Sequence, residues 1–199
     1  VIFQRYFGAR RHRDAVPEEE AILHAPVSIQ PEIVADRFVL RPLRRSDAGL
    51  IGVHAADLRV AQMTQDIPHP FPPGAAEAMI ERAGTDGRTT DVWAIDGSSQ
   101  GHAEVMGLVS LERMDRDQSE IRFWVAPAFW NTGIATEAIG ALIEANPQAS
   151  HEIFACVFHD NPGTARVLVN CGFDYLGDAE AHSVSRGANV PTWTYMRKM

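Results

Sequence analysis

Three groups of residues in this chain have the types and spacing to do chemistry. Trp130-Asn131-Thr132-Gly133-Ile134-Ala135-Thr136 sets a glycine-centred turn between an apolar strand and a helix. The first-turn N–H groups of a helix have no intrahelical acceptor and carry the positive end of its dipole, so small residues there let phosphate oxygens reach several amides at once. A phosphate or pyrophosphate is expected over the amides of Asn131, Thr132, Gly133, Ile134, Ala135 and Thr136, with plain helix entry as the equally weighted local reading. Asn161-Pro162 pairs an N-cap residue with proline at the first helical position, and Gly172-Phe173 ends that helix and resumes a strand. Asn161 can cap the helix or turn its amide toward a ligand lying along the preceding strand. The third group is carboxylate: strand alternation puts Glu120 with Arg122 and Trp124, opposite Ile121, Phe123 and Val125. Glu120 is the candidate general base, Glu112 its competitor, and a surface ion pair with Arg122 the bland alternative.

Composition removes several other chemistries. Of 18 basic residues only Lys198 is a lysine. A Walker phosphate loop, a pyridoxal Schiff base and a lysine nucleophile all need a placed lysine, so none is expected. A net charge of −8 argues against a nucleic-acid partner, and mildly favours a cationic or amine-bearing one. Cys156 and Cys171 form no CxxC and suit no zinc set, which points to reduced thiols in the cytoplasm. His151 and His159 share strand parity while Cys156 faces the other way, so no metal is expected. No apolar run approaches the ~20 residues that a membrane helix needs, so no membrane partner is expected either.

These groups must be placed by a single domain. Residues 1–35 read as a disordered extension: arginines dominate the start, but the serines and amphipathic period of a transit peptide are missing. The ordered domain is expected over 36–199, opening with a strand at Arg37-Phe38-Val39-Leu40-Arg41-Pro42-Leu43. A helix capped by Ser46 should follow and run toward Leu58. A proline-rich loop at 67–73 leads to a helix over 74–83. Strands at 92–95, 105–111 and 119–125 form a meander. Beyond residue 126 helix and strand alternate: a helix over 133–145 with Ile134, Ala135, Ala138, Ile139 and Leu142 on one face, a strand over 152–158, a helix over 162–170, and closing strands at 173–176 and 192–196.

Phe129 to Ala138, Asp160 to Leu168 and Cys171-Gly172-Phe173 together resemble the GNAT superfamily of acyl-CoA-dependent N-acetyltransferases. Arg37 to Leu43 and Glu120 to Val125 are similar to its branch containing the ribosomal-protein N-terminal acetyltransferases. The resemblance implies an α/β fold of the α+β type, with a mixed, mostly antiparallel central sheet whose central strands splay, flanked by helices. It implies acetyl-CoA as co-substrate, without a metal. Its pyrophosphate lies on the loop 131–136, and its pantetheine arm runs beside the strand ending at Val125 and touches Asn161. It implies direct acetyl transfer to an amine-bearing acceptor, either a peptide N-terminus or a small molecule, by a monomer or homodimer. The chain departs from the family pattern at three places. Trp130 stands where a Gln or Arg is usual, and Thr132 replaces a common basic residue. Leu168 replaces the tyrosine that many members use as general acid, leaving Thr164 as candidate for that role or as an ordinary first-turn residue. The rival readings are a non-catalytic acyl-CoA-binding or regulatory domain and a nucleotide-binding module.

Overall fold

The computed structural model describes residues 30–199. In chain order the elements are β1 (Ile33–Val34), β2 (Val39–Pro42), α1 (Ala48–Ala55), α2 (Leu58–Ala61), α3 (Ala75–Ala83), β3 (Thr90–Asp96), β4 (Gly107–Arg113), β5 (Gln118–Val125), α4 (Ile134–Ala145), β6 (Glu152–Phe158), α5 (Pro162–Asn170), β7 (Asp174–Ser183) and β8 (Ala188–Lys198). The strands form one sheet in the order β1-β2-β3-β4-β5-β6-β8-β7. Its pairs are antiparallel except β5 with β6. This is the mixed, mostly antiparallel α/β fold implied by the resemblance. No helix among the described residues is long and apolar enough to cross a membrane.

The expected extension lies outside the described residues up to position 29. Its last stretch is instead part of the domain. Ile33 and Val34 pair with Leu40 and Val39, Gln30 Nε2 donates to the Val92 carbonyl at 2.8 Å, and Trp93 Nε1 donates to Pro31 O at 2.8 Å. A two-residue strand whose Val34 faces solvent carries no readable period. The expected boundary at residue 36 is therefore too late.

Alternation within the strands divides the core between the two faces of the sheet. Trp93, Ile95, Val109, Leu111, Ile121, Ile153 and Val157 pack with Ala138, Ile139 and Leu142 of α4 and Ala165 and Leu168 of α5. On the other face Ala94 and Leu108 pack with Ile51 of α1 and Ala76 and Ile80 of α3, with Trp124 against them. The helix expected after Ser46 is broken into α1 and α2, and Ser46 does not cap it. No side chain caps α1: the Asp47 carboxylate closes the single 3-10 turn Arg45–Asp47 before it by accepting the Arg44 N–H at 2.7 Å, and Asp57 caps α2 by accepting from Arg59 N at 2.9 Å. The closing strands are also longer than expected. On β7 exposed residues alternate with small, half-buried ones, which hides the pattern of a strand.

A buried guanidinium joins the first strands to α1. Arg41, 2% exposed, donates Nη1 and Nη2 to the two oxygens of Asp47 at 2.9 Å each and Nε to Asp96 at 2.5 Å. Burial works against the charge on Arg41, but its two carboxylate partners outweigh it and raise its pKa. Burial likewise pushes the Asp96 carboxyl up, while bonds from Ser98 and Arg41 outweigh it, so the net shift is downward. Removing Arg41 strands two buried carboxylates. Arg41→Ala is expected to lower the unfolding free energy by about 3–5 kcal/mol in denaturant titration. Because Asp96 is depressed in the folded state, its contribution is complete above its unfolded value of about 3.9 and is lost as pH falls through the folded value. The variant should therefore lose less stability on acidification than the parent; equal losses would show that Asp96 does not depend on Arg41.

Candidate active site

The site begins where β5 and β6 part. Their parallel register runs Gln118↔Glu152, Ser119↔Ile153, Glu120↔Phe154 and stops, although β5 continues to Val125 and β6 to Phe158. Each strand keeps its outer partner to the end, Val125 on Gly107 and Phe158 on Thr192. Ala126 N–H donates to Met106 O at 2.8 Å, so by alternation the N–H and C=O of Val125 and Phe123 point away from β4, into the splay. Gly107 makes that bend possible: a Cβ there would overlap the Trp124 carbonyl oxygen and lie 2.9 Å from Val125 Cα.

At the open end of the splay the loop enters α4. Asn131 and Gly133 both take positive φ, 61° and 82°, which turns the backbone so that amides face one side. No side chain caps α4, and its first intrahelical bond is Glu137 N to Gly133 O at 3.1 Å. The N–H groups of Ile134, Ala135 and Thr136 are thus left for an external acceptor. Thr132 contributes backbone only, since its hydroxyl is turned to Phe129 O at 2.5 Å. Trp130 folds back to donate Nε1 to Val125 O at 2.6 Å, which ties the loop to the strand end while leaving the Val125 N–H facing the splay.

A cation missed in the sequence stands behind this loop. Arg37 Nη1 donates to Thr132 O at 2.8 Å, its Nε meets Glu137 Oε2 at 2.5 Å, and its own N–H donates to Glu137 Oε1 at 2.9 Å. Its Nη2 lies 3.4 Å from where a Cβ on Gly133 would stand. Arg37 is neutralised by Glu137, so it braces the loop by tying Thr132 O to the first turn of α4 rather than adding net charge to it. No local pattern signals this, because its partners lie some hundred residues away.

Two cavities of about 520 and 530 Å³ meet at the splay. One is walled by the loop and the first turns of α4 and α5, from Val125 through Gly133 to Thr136 and Arg166. The other opens on the α1–α3 face, over Arg122, Cys156, Asp66 and Asp86. Met63, Thr64, Phe123, Trp124, Asn161 and Thr164 line both. Asn161 does cap α5, accepting the Thr164 N–H at 3.2 Å, and still borders both cavities. The Thr164 hydroxyl forms no hydrogen bond to another described residue and faces the junction. Leu168 is fully buried in the core beside it.

Glu120 stands with Arg122 on the α1–α3 face. Arg122 Nη2 lies 2.8 Å from Glu120 Oε2 and 3.0 Å from Glu112 Oε2. Burial opposes the Arg122 charge, but the two carboxylates outweigh it and raise its pKa. The ion pair and the candidate base are thus the same group: one Glu120 oxygen is engaged, the other has no side-chain partner among the described residues. Burial, aided by Glu120, pushes the Cys156 thiol up to about 11, so it is a neutral thiol near pH 7 rather than a nucleophile. His159 meets Asp178 at 3.2 Å and stacks on Trp193.

Comparison with known proteins bears on this arrangement. A family model described as acetyltransferase (GNAT) domain matches residues 37–174. No curated protein matches the chain in sequence. Among solved structures, the microcin C7 self-immunity acetyltransferase MccE in complex with acetyl-CoA and AMP superposes with a TM-score of 0.73 at 17% identity, covering 87% of this chain and 99% of that one. The ribosomal-protein-S5-alanine acetyltransferase from Vibrio fischeri gives 0.69 at 18%, covering 85% and 97%. Spermidine N-acetyltransferase from Vibrio cholerae, with CoA and spermine, gives 0.69 at 17%, covering 81% and 95%. At these identities the likeness is one of fold.

The loop geometry has a direct test. Gly133→Glu strains a position at φ 82° and sets a carboxylate against the amides, so acetyl-CoA should no longer raise the melting temperature. Arg37→Met removes the brace on Thr132 O and Glu137 and so loosens the loop; it should weaken acetyl-CoA binding about tenfold in calorimetry, an indirect effect of about 1.4 kcal/mol. Unchanged affinity in both variants would move the phosphate site elsewhere.

Proposed function

The chain belongs to the GNAT acetyltransferase family, an acetyl-CoA-dependent N-acetyltransferase, and from that premise we propose that it moves the acetyl group directly to a primary amine in a ternary complex. The meeting of two separate cavities at one splayed strand end carries this reading. Donor and acceptor approach from opposite faces and need no covalent stop on the protein, which suits the neutral thiol of Cys156. The amides of the 131–136 loop, backed by Arg37, hold the pyrophosphate. The exposed edge of β5 pairs the pantetheine arm, and Asn161 touches it from across the splay. The Val125 N–H is fixed in direction by its strand before any ligand arrives, so it can stabilise negative charge developing on the thioester oxygen without reorganisation.

Thr164 is the proposed proton donor to the departing thiolate. Its backbone is pinned by Asn161, its hydroxyl is free to rotate, and it borders both cavities. Glu120 is the proposed base; it does not itself border the acceptor cavity but lies behind Arg122, which does, so it takes the amine proton through an intervening water. The acceptor is a protein N-terminus or a small-molecule amine; fold neighbours named for a ribosomal-protein alanine and for spermidine support both classes. The buried Leu168 favours a second reading, an acyl-CoA-binding domain without turnover, in which acetyl-CoA protects the fold but no amine releases thiol.

A thiol-release assay with acetyl-CoA against a panel of peptides and small amines separates the two. Thr164→Ala keeps the N–H that Asn161 caps and removes only the hydroxyl. It is expected to lower kcat by about 10²-fold, the low end for general acid catalysis, with acetyl-CoA affinity nearly unchanged. Full kcat in this variant would end the assignment of Thr164.

A further inference from the structure

The wall between the two cavities is a segment with little structure of its own. Residues 61–66 leave α2 and cross the mouth of the splay, and Met63 and Thr64 are the residues of that crossing that line both sides. Its local bonds are single turns, Gln62 N to Leu58 O, Met63 N to Val60 O and Thr64 N to Ala61 O, at 2.9, 3.1 and 3.2 Å. Nothing in those turns fixes where the segment lies relative to β5 and β6.

The turn between β7 and β8 does so from the far end of the chain. Val184 N–H donates to Gln65 O at 2.9 Å and Ser185 Oγ to Ala61 O at 3.0 Å. Arg186 donates Nε and Nη2 to Gln62 O at 2.9 and 2.5 Å. The same guanidinium makes a two-point pair with Asp160, Nη1 to Oδ2 at 2.8 Å and Nη2 to Oδ1 at 3.1 Å. It also sits 5.0 Å over the ring of Phe158, which lines the acceptor cavity. Asp160 precedes Asn161, and Phe158 ends β6. One side chain thus ties the crossing segment to the β6 edge of the splay and to the entry of α5.

We propose that Arg186 is a positioning residue that fixes the 61–66 segment across the splay, and so sets the wall against which the acceptor amine is aligned and water is kept from the thioester. The proposal rests on the acyl-transfer reading for its consequence, though not for the contact itself. A planar fork is required, because Gln62 O and both Asp160 oxygens are met in fixed directions; a lysine could reach one of them at a time. Without the fork the turns at Gln62 to Thr64 lose their support and open more readily, while the segment stays attached through Gln65 O, Ala61 O and the packing of Val60, Ala61 and Ile67 with Trp124. The pyrophosphate loop, built on α4 and Arg37, is not involved.

The full chain tests this with Arg186→Ala and Arg186→Lys. In Arg186→Ala, the turn-bonded amides of Gln62, Met63 and Thr64 should exchange hydrogen at least tenfold faster while α4 amides are unchanged. KM for the acceptor should rise, kcat should fall by about 10- to 100-fold, as a displaced reacting group predicts, and acetyl-CoA hydrolysis without acceptor should increase. KM for acetyl-CoA should stay within about twofold, since P-loop-like amide contacts lie elsewhere. Arg186→Lys should recover part of the lost kcat. Should Arg186→Ala fail to fold, Asp160→Asn removes one limb of the latch and should shift the same readouts in the same direction by less. Unchanged exchange at 62–64 overturns the latch. Faster exchange with unaltered acceptor KM, kcat and hydrolysis overturns the positioning role. If the parent turns over no amine yet Arg186→Ala still frees 62–64, the transfer reading fails and the contact stands.

Discussion

Two parallel strands that begin paired and then separate leave backbone N–H and C=O groups with no partner in the sheet, and this gap governs the rest of the molecule. Beyond Glu120 and Phe154 the facing edges of β5 and β6 are open. Unpaired backbone is costly when buried, so the gap must stay wet or be filled by something that pairs like a strand. The fold sustains the gap from outside. β4 and β8 hold the two strands along their other edges to the last residue, and Gly107 lets β4 press close against Val125. α5 starts directly at the opening with Asn161 and Thr164. An edge in this state binds a ligand carrying amides of its own without strain, since the pairing geometry exists beforehand.

The same gap lets one sheet present two chemically different faces to one point. On the α4 and α5 face, unpartnered first-turn amides make a positive cradle that the Arg37–Glu137 pair braces. On the α1–α3 face, Glu112 and Glu120 surround Arg122, and Asp66 and Asp86 line the cavity. Under the proposed transfer, an anionic donor and a cationic acceptor would be drawn to opposite sides of a sheet that is otherwise continuous. The acidic balance of the chain, −8 overall, works in the same direction as the acceptor side and against the donor, which is why the cradle needs fixed dipoles that a locally held guanidinium braces.

How much of this could be read from the chain follows from the range of the interactions. α4, α5 and β6 were legible because their signals are local: a 3.6-residue apolar period, Asn161 with Pro162, Gly172 after the helix. The glycine turn that enters α4 was legible for the same reason. What escaped has its cause far away in sequence. β1 exists because β2 offers it an edge. Ser46 looked like a cap, but a buried Arg41 claims Asp47 and moves the helix start. Arg37 carries no local mark of its bond to Glu137, nor Arg186 of its bond to Gln62. Family resemblance could carry over the positions proposed to bind the donor, since the proposed contacts run through backbone. It could not carry over the side chains that hold the backbone in place.

Those side chains are of one kind. Arg37 joins the chain before β2 to α4, Arg41 joins β2 to β3 and α1, Arg122 gathers two carboxylates at the acceptor floor, and Arg186 joins the β7–β8 turn to α2 and α5. At each joint one guanidinium satisfies two to four acceptor groups, drawn from more than one element. A point charge on a flexible stem would meet one acceptor well and the others in passing, whereas a rigid fork sets their mutual angles. In a chain with one lysine, the joints are therefore directional as well as electrostatic. The stiffness of the site comes from these crossings between elements, and the unpaired strand edges can remain open because the elements around them are not free to close.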